Sequence, residues 1–280
     1  MIEFFLKGTP AWKYWVILST RTQEDMAYRF NYVFGVVFRF LPLVTTIYLW
    51  YAVFHSPGYD GTQRMGGMSF SDMVSYYAIM FVARGFSSIP GMNRDISVDI
   101  KDGLLNRYLI KPMSYFWYQT MYRLAHKLVF WFVALFTFPP IFYLIRQYLQ
   151  HTPTLLEWAA FFVSLMIAFW IGILFNFMIG TLAFWFLEIS TFLFVIMVME
   201  FFLSGHLLPL NLLPHGILSW AQWMPFGYEG YWPCMILIGK VPPDQMGKVI
   251  GVGLLWVAFF FLTGKWMWAR GVKRYSAVGG

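Results

Sequence analysis

About six long apolar runs, each near the length of a bilayer crossing, constrain this chain more than any motif does. Runs 31–54, 128–145, 155–179, 183–204 and 246–269 approach or exceed the roughly 20 residues that cross a hydrocarbon core as a helix. A sixth, 70–90, carries Asp72 and Arg84 near its ends. Hydrophobic residues make up 59% of the sequence and charged residues 12%, more apolar surface than a soluble fold of this length can hide. In lipid each backbone amide must find an internal partner, so such runs are helices. The fold class expected is an all-α membrane protein with six transmembrane helices, forming a single transmembrane domain over 1–280.

Orientation follows from where the positive charge lies. Residues 1–30, the 84–127 segment and the C-terminal tail hold fifteen of the twenty Lys and Arg residues. Basic loops stay on the cytoplasmic side, which puts both termini and the 84–127 loop there, consistent with an even number of crossings. The net charge of +7 then reports topology and attraction to anionic headgroups, not nucleic-acid binding. No cleavable signal peptide is expected, because the first apolar run starts near residue 31. A single cysteine, Cys234, leaves no partner for an intramolecular disulfide and is expected to be a buried apolar side chain.

Residues 9–29 place Trp12, Trp15, Val16 and Ser19 at helical spacing, with Lys13, Arg21, Glu24 and Asp25 mostly elsewhere on the wheel. This predicts a cytoplasmic interfacial helix with its tryptophans at headgroup depth; a plain helical extension of the first span is the alternative. Arg39 and Pro42 interrupt that span, Arg39 within snorkelling reach of the cytoplasmic interface. The third span runs from about 115 to 146, with Arg123, His126 and Lys127 in its cytoplasmic third and Pro139 and Pro140 near its outer end. For His126, interfacial hydrogen bonding is favoured over proton relay, since no carboxylate lies within sequence reach.

Between the second and third spans, residues 91–112 are charged but interspersed with Ile96, Val98, Ile100, Leu104 and Leu105. Gly103 is placed to end a short helix there. Glu188 and Glu200 fall inside the fifth apolar run, and carboxylates in such a setting point to function by default. They are candidates for a transport path, with interfacial passengers as the alternative. Residues 205–243 are apolar yet broken by Pro209, Pro214, Pro225, Pro233, Pro242 and Pro243. Two short helices that dip into the outer leaflet and return are expected, anchored by Trp220, Trp223, Tyr228, Tyr231 and Trp232.

The catalytic motifs are missing. The sequence has no GxxxxGK[ST] phosphate loop, no HExxH or other paired histidines suited to a metal, and no GxSxG nucleophile turn. Neither an enzyme nor a chain with its own cofactor is expected. Aromatic residues reach 22%, which suits either amphiphilic or cationic organic substrates or plain packing against lipid.

Taken in order, these features resemble the permease subunits of type-2 ATP-binding-cassette (ABC) transporters. They are the helix before the first span, the segment RDISVDIKDGLLNRYLIKP (94–112), the short turn near AFWFLE (183–188) and the proline-rich SGHLLPLNLLP…MPFGY (204–228). The run Ile100, Gly103, Leu105, Tyr108, Leu109, Lys111 and Pro112 carries the most specific part of the match. The resemblance implies an exporter in the bacterial inner membrane. Two permease copies, or this chain and a paralogue, would sit on separate ATPase subunits that bind ATP and Mg. Arg94, Asp95, Ile96, Asp99, Ile100 and Gly103 would couple to the ATPase, the apolar ones by filling a partner's groove. A membrane scaffold that moves nothing and a secondary transporter are the competing readings.

Overall fold

A computed structural model describes residues 10–27, 34–35, 38, 40–57, 64–186 and 188–275. Among these the structure is helical throughout, with no β-strand beyond an isolated bridge between Met65 and Met68. Arg39 and the residues around the start of the first apolar run lie outside the described set, as does the question whether the first helix runs on into that span.

The elements are α1 (Pro10–Ala27), α2 (Phe40–Phe54), α3 (Phe70–Ser87), α4 (Met92–Lys101), α5 (Asn106–Leu109), α6 (Tyr115–Ile145), α7 (Leu155–Thr181), α8 (Ser190–Leu203), α9 (His215–Ala221), α10 (Tyr231–Leu237) and α11 (Pro243–Arg274). Two of the starts are fixed by reciprocal side-chain caps. Ser69 and Asp72 form a capping box on α3, and Thr154 and Glu157 do the same on α7. Asp72 also accepts from Lys240 Nζ at 2.8 Å, tying the head of α3 to the loop before α11. At the other end of α11, Lys273 and Arg274 stand in the last turn, where cations complement the helix dipole.

Among the described residues, three helical stretches are long and apolar enough to cross a membrane: Tyr115–Tyr148, Leu155–Phe184 and Pro243–Arg274. They differ in how much of their apolar surface the chain itself covers. In the most apolar part of the Leu155–Phe184 stretch 61% is buried, against 18% and 22% for the other two. Helix α7 is therefore the axis of the fold, touching α3, α4, α10 and α11. Small residues let its neighbours come close. A Cβ at Gly172 would collide with the Ser87 carbonyl, and one at Gly180 would stand 2.8 Å from Ile96 Cβ and 3.0 Å from the Asn93 carbonyl.

The second and fifth apolar runs are shorter as helices than as hydrophobic sequence. The fifth, expected over 183–204, is helical only from Ser190 to Leu203, about 21 Å at 1.5 Å per residue. The break has a local cause. The Glu188 carboxylate accepts from the Ser190 amide and hydroxyl, and such side-chain bonds compete with the helical backbone pattern. In the 205–243 region the prolines separate two 3-10 turns, Leu210–Leu212 and Pro225–Glu229, from α9 and α10, each seven residues long. Every residue of α10 is buried, Cys234 among them, against α3 and α7.

Helix α1 packs along the first half of α6. The Ser114 amide donates to Tyr14 Oη at 2.9 Å and Lys13 Nζ to the Pro112 carbonyl at 3.3 Å.

Candidate functional site

The charged segment 91–112 is an amphipathic handle docked on α7. Met92, Ile96 and Ile100 recur every four residues and so share one face of α4. All three are buried, with Ile173, Phe177 and Phe184 in the same cluster. Gly103, at φ +73°, ends the helix in the left-handed conformation that side chains avoid. Asp99 is buried and binds three side chains or their relay. Tyr115 Oη donates to it at 2.7 Å, Arg107 Nη2 at 3.1 Å, and Gln119 Nε2 donates in turn to Tyr115 Oη at 2.8 Å. This network fastens α4 to α5 and to the start of α6.

The residues singled out in sequence thus divide in two. Arg94 and Asp95 lie on the exposed face, and Asp95 pairs with Arg123 of α6. Ile96, Asp99 and Ile100, expected to offer their side chains to a partner, are consumed by this chain's own core. The reason is α7, whose Gly180 admits α4 so closely that the apolar face of α4 is already matched. The apolar side chains left outward are Val98, Leu104, Leu109 and Ile110, the last 83% exposed.

Behind α4 lies a cavity of about 650 Å³ bounded by α1, α2, α3, α6 and the end of α8. Its polar walls come from helices far apart in sequence. Arg84 Nη1, on α3, donates to Glu200 Oε1 of α8 at 2.9 Å and stands 3.7 Å from Glu229 Oε2 of the Pro225–Glu229 turn. Glu229 is 2% exposed. Lys127 Nζ of α6 donates to the carbonyls of Gly85 and Ser88, at 2.8 and 2.9 Å, where the last turn of α3 leaves acceptors unmatched. Lower down, Asp25 of α1 takes both Arg21, at 3.2 Å, and His126 Nδ1, at 3.3 Å. The carboxylate partner that sequence reach did not offer His126 comes from 101 residues away.

Of the two acidic candidates, Glu200 lies in this network and Glu188 does not. Glu188 precedes α8, exposed, and holds Ser190. Sequence reasoning missed Glu229 and the pairing of Arg84 with α8. The available signal was an acid inside the apolar, proline-rich PFGYEGYW. Burying paired charges among apolar helices is costly, which makes Arg84, Glu200 and Glu229 functional-site candidates.

Comparison with known proteins gives one match. The family described as "ABC-2 family transporter protein" covers residues 40–279. No curated protein and no solved structure matches the chain.

Proposed function

Because the chain belongs to the ABC-2 transporter family, we propose that it is the permease subunit of an ATP-driven exporter in the bacterial inner membrane. Two permeases, identical or paralogous, pair on separate ATPase subunits that bind and hydrolyse MgATP. Each permease crosses six times with both termini cytoplasmic, and 205–243 forms the external re-entrant segment. The six-crossing count is supported by the basic segments at 1–30, 84–127 and the tail, and by the helix breaks at the prolines of 205–243.

One observation carries the mechanism. The α4–α5 handle is clamped to the most buried of the three long helices, so a push on its outer face displaces α7 instead of being absorbed by a loose loop. ATP binding draws the ATPase subunits together, the handles follow, and α7 shifts the turn at Pro225–Glu229 that helps to hold α8. Coupling of this kind needs a two-state element that ligand binding at a distance can bias. Glu200, which does not line the cavity but holds the lining residue Arg84, belongs to the substrate path in this scheme; Glu188, beside the handle side of α8, belongs to its cytoplasmic end.

Replacing Val98, Leu104 and Ile110 together by Asp tests the contact. Co-purification with ABC ATPase subunits from the native host is expected to fall at least tenfold while the permease unfolds at its normal temperature. Undiminished capture would remove the handle from the ATPase interface. Absence of any associated ATPase would instead favour a scaffold or a secondary transporter.

A further inference from the structure

The cavity differs from the rest of this apolar protein in the sign of the charge it presents. Its ionisable lining residues, tyrosines aside, are Arg21, Arg84, Arg123, His126, Lys127 and His206, and no Asp or Glu is among its lining residues. Glu24, Asp25, Asp95 and Glu200 hold these cations without lining the cavity themselves. Such pairing fixes a guanidinium without using every donor it has.

The mouth shows donors left over. The guanidinium carbons of Arg21 and Arg123 lie 4.6 and 5.2 Å from the centroid of one ring, that of Tyr122. The Nε atoms of both arginines are buried and have no hydrogen-bond partner among the described residues. Sealed as they are, these Nε atoms do not face the cavity, so an oxyanion would be held by the terminal Nη donors; two guanidinium groups on one aromatic platform suit the oxygens of a phosphate or similar oxyanion. Beyond the mouth, the wall turns apolar with Leu43, Phe81, Phe130 and Phe201. The volume falls within the roughly 300–1,000 Å³ of small-molecule sites.

From this arrangement we infer that the cavity takes an anionic amphiphile, its oxyanion headgroup on Arg21 and Arg123 and its tail among the rings of α3, α6 and α8. The inference rests on the permease reading and narrows its substrate class. A cationic substrate, which aromatic content alone permits, would meet the Arg, Lys and His side chains of the lining and no lining carboxylate.

The test uses the full chain in phosphatidylcholine nanodiscs without ATPase, with empty discs subtracted. Dodecyl phosphate, dodecyltrimethylammonium and inorganic phosphate are titrated in turn by tryptophan fluorescence. Dodecyl phosphate is expected to bind at least tenfold more tightly than either of the others. Arg21→Gln and Arg123→Gln are each expected to weaken it about tenfold, leaving inorganic phosphate too weak to measure. Equal or tighter binding of the cation overturns the assignment. Inorganic phosphate binding as tightly as dodecyl phosphate also overturns it, since the site would then take a free oxyanion and no tail. The three-probe comparison on the unaltered chain decides the matter even if an arginine variant fails to assemble. Because no ATPase is present, failure here leaves the coupling proposal standing, and failure of ATPase capture leaves this one standing.

Discussion

Arg84→Gln should damage the fold more than Glu200→Gln, although both remove a charge from the same ion pair. Helix α8 has no fully buried residue, so its hold on the body of the chain depends on partly covered side chains such as Leu193 and Ile196 and on the Glu200–Arg84 contact. At an effective dielectric near 20, the gross Arg84–Glu200 attraction across 2.9 Å is about 6 kcal/mol, most of it offset by desolvation. What remains is an asymmetry. Removing the arginine leaves Glu200 and Glu229 converging on an empty centre, and breaking a buried pair from one side typically costs about 3–5 kcal/mol. Removing the Glu200 charge leaves Arg84 with Glu229 and keeps an acceptor at the same place, a loss of about 1–2 kcal/mol. Reversible unfolding in mixed micelles, followed by tryptophan fluorescence, measures both, and the double variant completes the cycle. The expected coupling energy exceeds about 1 kcal/mol, well above the deviation shown by independent sites. If the two single variants lie within about 0.5 kcal/mol of each other and of the parent, the three charges do not act as a unit.

Two further outcomes bear on the handle and on topology. Gly180→Ala sets a methyl against Ile96 Cβ and the Asn93 carbonyl, neither of which is a flexible chain end; overpacking of this kind costs about 1–3 kcal/mol. Loss of ATP-driven transport with retained ATPase capture would locate the damage in α4–α7 docking, and unaltered transport would show that the close approach is dispensable. Cysteines introduced at Lys273 and Asn211 should react with an impermeant thiol reagent from opposite sides of the membrane. The native Cys234 is buried and should contribute little background. Reaction of both from one side would defeat the proposed topology.

The long apolar runs made α6, α7 and α11 legible from sequence, and six prolines were enough to forbid a straight crossing over 205–243. Gly103 marked its helix end correctly because a left-handed stop is a local property. The direction of the α4 face was not local. Ile96 and Ile100 have the spacing of one helical face, but whether that face meets another protein or this chain's own α7 depends on a glycine some eighty residues on. The charge network was hidden for the same reason. Arg84 and Glu200 are 116 residues apart, and neither position signals the other. Glu188 and Glu200 looked alike as acids in one hydrophobic run; a local cap at Ser190 separates them, leaving one on the surface and one paired with Arg84.

Helix α7 touches α4 near one end and the Pro225–Glu229 turn elsewhere along its length, and that shared support carries a thermodynamic obligation. If pressure on the handle changes the cavity's affinity for its ligand by some factor, occupation of the cavity must change the handle's affinity for its partner by the same factor. Cargo would then act as an effector of its own motor: an occupied permease would recruit or release the ATPase differently from an empty one, before any nucleotide is hydrolysed.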